Sequence, residues 1–143
     1  MKNIQRAIAL FGFCLFLAAS SALGQSEPQT VVNIPFNFVV GDKTLPAGEY
    51  VIRRNQRDSD TTWVVEQKGN GANAVLLTRP AYAKDTQEEN KLVFNRYTDV
   101  YFLSEIWTTG SKTGREVQMS NRERAMDKAI GVRLELILND RGR

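Results

Sequence analysis

Histidine is absent from this chain, and cysteine occurs once, at Cys14. The first absence excludes the Ser-His-Asp and Cys-His nucleophile systems, which need an imidazole to carry the proton. The two together exclude the usual zinc and copper sites. A D-x-D-x-D-G loop that would gather oxygens around calcium is also missing. No metal and no cofactor is therefore expected. No single charge dominates, with 19 Lys and Arg against 16 Asp and Glu. Basic runs with interleaved aromatics are lacking, which argues against nucleic acid as a partner. The densest basic spot, Arg53-Arg54 with Arg57, reads as a solvated strand end and turn.

Long apolar runs are absent except at the N-terminus. There, Lys2 and Arg6 precede an apolar stretch from Ile8 to Ala19, followed by Ser20-Ser21-Ala22-Leu23-Gly24. A positive start, an apolar core and small residues are the architecture of a secretory signal. The run is short of the ~20 residues that span a bilayer. Residues 1–24 are thus expected to be a signal peptide, cleaved before Gln25. Cys14 lies inside the apolar stretch, away from the cleavage point, which argues against a lipid anchor. Loss of Lys2 and Arg6 leaves a mature chain near charge balance, with no transmembrane segment and no cysteine. Residues 25–143 are expected to form one domain, long enough to bury a core without disulfides. An extracytoplasmic location, periplasmic or secreted, follows.

The mature chain alternates with period two. Val32, Ile34, Phe36, Phe38 and Val40 share one face of a predicted strand. Pro35 cannot donate to a ladder, so that strand is at an edge or broken there. Further strands are predicted over 49–54, 61–67, 74–79, 91–97, 100–108, 115–119 and 132–138. Thr98-Asp99 makes a two-residue hairpin, which would set Tyr97 beside Val100, Phe94 beside Leu103 and Leu92 beside Glu105. Gly69-x-Gly71 lacks the lysine and the following helix of a phosphate loop and reads as a turn.

One helix is predicted near 120–130. Ser120 and Glu123 have the spacing of a capping box, and Gly131 can close the helix in the left-handed conformation. Ala125, Met126, Ala129 and Ile130 are expected on its buried face. About eight short strands and one helix make an all-β domain, an antiparallel meander closed as a β-sandwich or small barrel. Strands this short argue against an outer-membrane barrel.

The pattern Ile34-Pro35-Phe36-x-Phe38-x-Val40-Gly41 with Leu45-Pro46-Ala47-Gly48-x-Tyr50 resembles the opening of a group of small exported bacterial proteins. Leu92-Val93-Phe94-Asn95-Arg96-Tyr97 with Tyr101-Phe102-Leu103-Ser104-x-Ile106-Trp107 resembles its later half. That group is uncharacterised, so the resemblance implies export and a single domain, and carries over no catalytic or binding residue. Its hairpin often has glycine where this chain has Thr98.

Glu105 is expected among Tyr101, Leu103 and Trp107, a setting that raises a carboxylate's pKa and suits a general acid. A hydrolase would need a second carboxylate, for which Glu66, Asp99 and Glu116 are candidates by elimination. The structural alternative pairs Glu105 with Arg115 or Gln118. Trp63 and Trp107 read as core, whereas Tyr82, beside Pro80 in a polar stretch, reads as exposed. Arg96 either clamps an anion or stacks on Tyr101 with its head in water. The ligand-binding candidates are therefore Tyr82, Arg96, Tyr101, Glu105 and Trp107, and no catalytic residue is assigned. The expected function is an exported, non-catalytic β-domain that binds an envelope glycan or protein. A small barrel carrying an apolar ligand among Phe36, Phe38, Phe102 and Trp107 is the alternative, and a carboxylate-dependent hydrolase the further one.

Overall fold

The computed structural model describes residues 29–55, 60–69 and 71–140. The expected signal peptide, its cleavage point and the turn around Arg57 lie outside the described residues. Among the described residues, ten strands and one helix follow in the order β1 (Thr30–Ile34), β2 (Phe38–Val40), β3 (Lys43–Leu45), β4 (Gly48–Arg54), β5 (Thr62–Gln67), β6 (Asn73–Tyr82), β7 (Asn90–Tyr97), β8 (Val100–Trp107), β9 (Thr113–Val117), α1 (Asn121–Ile130) and β10 (Leu134–Asp140). The fold is all-β, with more strands than expected. The first predicted strand is split in two around Pro35, and Lys43–Leu45 forms a strand of its own.

The strands make one sheet in the order β1-β4-β5-β6-β9-β8-β2-β3, with β7 on the other edge of β8 and β10 outside β7. The sheet bends at β6. Residues 73–77 of that strand pair with β5, and residues 78–82 pair with β9. The bend produces two facing leaves, β1-β4-β5-β6 and β6-β9-β8-β7-β10, in a sandwich-like arrangement. The edge strands β1 and β10 touch without forming a ladder, so the sheet stays open. β2 runs parallel to β8, with Val39 opposite Phe102, on the stretch of β8 that β9 leaves unpaired.

The main core lies between the leaves. Ile34, Phe38, Tyr50, Ile52, Val65, Phe94, Leu103 and Ile106 are buried in it. Phe38 meets Tyr50 and Phe94 edge-on, at 5.1 and 5.7 Å between ring centroids. Full burial of side chains of this size stabilises by about 1.5–3 kcal/mol each. A second, smaller cluster of Val39, Tyr97 and Phe102 lies on the opposite face of the β7-β8-β2 leaf, where Met126 of α1 covers it.

The helix begins as the capping pattern predicts. Ser120 Oγ accepts from the Glu123 amide at 3.1 Å, and Gly131, at φ +66°, donates its N–H to the Asp127 carbonyl. Its buried face differs from the expected one. Ala125, Ala129 and Ile130 are exposed, and Glu123, Met126 and Asp127 face the sheet. The reason is chemical: β7 offers this helix Asn95 and Tyr97, which need polar partners.

Candidate functional site

A one-residue bulge on β8 decides where the candidate residues point. Phe94 pairs with Leu103, but Val93 pairs with Glu105, so Ser104 is the extra residue. Before the bulge, Tyr101 and Leu103 face the core and Phe102 faces out. After it, Ile106 faces the core and Glu105 and Trp107 face out. A slip of one residue moves every following side chain to the other face. The expected grouping of Glu105 with Tyr101 and Leu103, and its position beside Leu92, are therefore wrong. Leu92 lies opposite Ile106.

On the outer face, Trp107 Nε1 donates to Glu105 Oε2 at 2.7 Å. Trp107 lies across Gly114 of β9, and Lys91 Nζ sits 5.1 Å from its ring centroid. Neither Arg115 nor Gln118 partners Glu105: Arg115 stacks instead on Trp63, at 5.7 Å from its ring. Glu116 stands directly opposite Glu105 across β8 and β9. Two like charges so placed repel, and each is engaged elsewhere. Arg79 donates to both oxygens of Glu116, at 2.9 and 2.5 Å. This hydrogen bonding holds the Glu116 carboxyl below its usual value of 4.5. Glu116 is thereby held in its charged form, which suits it poorly to donating a proton.

The second predicted pair occupies the end of the β7-β8 hairpin. The Arg96 guanidinium lies 5.4 Å from the Tyr101 ring centroid, and its Nε donates to the Thr98 carbonyl at 2.7 Å. The stacking alternative is the one adopted. Tyr101 also stacks on Phe36 at 4.4 Å. Tyr82 stands apart at the end of β6, 78% exposed. The five candidate residues thus form two pairs and an isolated tyrosine. Phe36, Phe38, Phe102 and Trp107 do not surround one space, because the first two face the main core, Phe102 lies under α1, and Trp107, buried as expected at 6% exposed, lies on the other face of β8 against Gly114.

Two further constellations escape the sequence reading. Beneath α1, Asn95 Nδ2 donates to Glu123 Oε1 at 2.7 Å, and the Tyr97 hydroxyl donates to Asp127 Oδ1 at 3.0 Å. Two residues along a strand and four along a helix cover similar distances, about 6–7 Å, so both bonds form at once. Glu123 is only 4% exposed, and burial pushes its carboxyl above the usual range, against the Asn95 bond and the charge of Arg133. The signal for it was present in the sequence: acids four apart on a helix, and Asn95 and Tyr97 two apart on a strand.

At the end of the helix, Arg96, Thr98, Asp99, Ile130, Val132 and Leu134 line an open groove of about 340 Å³. Val132, Leu134 and Ile137 are 62, 57 and 53% exposed. β10 pairs with β7 alone, so among the described residues its other edge carries no ladder. No group of three or more His, Cys, Asp or Glu among the described residues is placed to share a metal ion. No helix among them is long and apolar enough to cross a membrane. Comparison with protein-family models, curated proteins and solved structures finds no significant match.

Proposed function

We propose that this chain is an exported, non-catalytic β-domain that binds an extended apolar segment of an envelope protein along β10. The observation that carries the reading is the exposure of Val132, just before β10, and of Leu134 and Ile137 on the two faces of that edge strand, with Leu134 beside the Arg96 groove. An apolar edge free of proline and lysine is a template for another strand. Main-chain bonds would supply affinity, and the groove would accept alternate side chains. Arg96, whose guanidinium faces Asp99 at 3.6 Å, would offer its remaining donors to a carboxylate on the incoming segment. Export is supported by the N-terminal pattern of Lys2, Arg6 and the apolar stretch before Ala22 and by the resemblance to small exported proteins.

The test is titration of the purified protein with a synthetic peptide of alternating valine and threonine, followed by backbone amide exchange. Binding should protect amides within residues 134–140, and Leu134→Asp should weaken it at least about tenfold with an unchanged melt, since Leu134 is a surface residue. If the peptide leaves these amides unprotected and a fatty acid instead perturbs Ile130, Val132 and Leu134, the domain is an apolar-ligand carrier. Mass spectrometry of the exported protein should find Gln25 as the first residue.

A further inference from the structure

Helix α1 is held to the sheet by few groups. Asn95 and Tyr97 each provide one hydrogen bond, to Glu123 and Asp127, Arg122 reaches Thr44 of β3 at 3.3 Å and lies over the Phe102 ring, and Met126 provides the apolar contact with Val39, Tyr97 and Phe102. Among these anchors only Glu123 is a buried acid, and it has a single side-chain donor. A carboxylate has room for about four donors and loses that many waters on burial, so Asn95 replaces only part of its hydration. A carboxylic acid in the same place asks for much less. Its carbonyl oxygen keeps the Asn95 bond, and no charge is left in an apolar layer.

We infer that α1 is a clasp tightened by protons: protonation of Glu123 fastens the helix to β7 and so fixes the groove lined by Ile130, Val132 and Leu134. The groove's role in binding rests on the function proposed above, whereas the clasp stands on the Asn95–Glu123 geometry alone. Several groups act on Glu123. From β7 come Asn95 and Tyr97; from α1 itself come Asp127 and Arg124; from the segment before β10 comes Arg133. Burial and Asp127 favour the protonated acid, and Asn95, Arg133 and Arg124 favour the carboxylate. Burial outweighs the rest, so the docked helix binds the proton more tightly than the undocked one does. The stabilisation is complete below the usual value of 4.5 and is lost as pH rises through the elevated one. Val132 and Leu134 follow directly on α1, so loosening the helix releases one wall of the groove.

The experiment is nuclear magnetic resonance of the purified protein across the acid range. The Glu123 carboxyl carbon is titrated while amide exchange in residues 121–130 is followed and corrected for its intrinsic pH dependence. Wild-type protection should rise several-fold on acidification, with a midpoint matching the Glu123 titration. Glu123→Gln, neutral and of equal size, should hold the high protection at every pH. Protection that is independent of pH in the wild type, or that titrates away from Glu123, would overturn the clasp. If Glu123→Gln folds poorly, the coincidence or separation of the two wild-type midpoints still decides. Neither readout involves a bound peptide, so failure of the clasp and failure of the binding reading are separate results.

Discussion

The indole of Trp107 and the carboxylate of Glu105, two residues apart on β8, satisfy each other at 2.7 Å on the outward face of the sheet. Glu105 is thereby a structural acceptor. Glu105→Ala should leave a largely buried N–H without a partner and cost about 1–3 kcal/mol. Glu105→Gln keeps an acceptor oxygen and should cost less than half as much. Chemical denaturation of the two variants, read by tryptophan fluorescence, checks the order. A broad glycoside and ester screen of the parent should show no turnover that Glu105→Gln removes.

Gly114 is required by the same indole. A Cβ there would lie 2.5 Å from Trp107 Cδ2 and 2.9 Å from the Ile106 carbonyl oxygen. Backbone and a packed ring cannot both yield cheaply, so Gly114→Ala should destabilise by about 1–3 kcal/mol. The expected signature is a lowered denaturation midpoint with a shifted Trp107 emission.

Tyr97 supplies a pH test. Burial first, and then the hydrogen bond to Asp127, push its hydroxyl from 10.0 to about 12. The neutral phenol is the form the fold prefers. Its contribution to stability is therefore whole below pH 10.0 and is lost as pH rises through about 12. Alkaline titration of the phenolate absorbance should contain a step near pH 12 that Tyr97→Phe removes.

Thr98 is the one non-glycine residue with positive φ among the described residues, at +56°. The left-handed region costs an L-residue about 1–2 kcal/mol, and glycine enters it freely at some cost in chain entropy. Thr98→Gly should stabilise by about 0.5–1 kcal/mol, seen as a raised urea midpoint with an unchanged slope.

The fold class was legible because alternation is a local signal. Ile34, Phe38, Tyr50 and Ile52 are inward as their spacing demands, and Pro35 breaks the first strand as its missing N–H requires. The helix ends were legible for the same reason, since Ser120 and Gly131 act on neighbouring backbone. The bulge at Ser104 was not. Nothing in Leu103-Ser104-Glu105 announces an extra residue, and the slip displaced Glu105 and Trp107 to the wrong face. The buried role of Glu123 was hidden by a competing one. A glutamate three residues after a serine is explained by capping, and only the pairing of α1 with β7 shows that its side chain turns inward to Asn95. The groove was missed because its walls come from a hairpin, a helix end and a strand start that are distant in sequence.

The parallel contact between β2 and β8 has a consequence for how the chain assembles. β1 can pair with β4 and β2 with β3 early, but the other edge of β2 has no partner until Val100–Trp107 has been made. Phe38 and Val40 therefore spend synthesis, and any passage across a membrane, without the leaf that will cover them. Pairing between distant segments is slow to form. A domain built in this order completes its core only once its C-terminal half is in place.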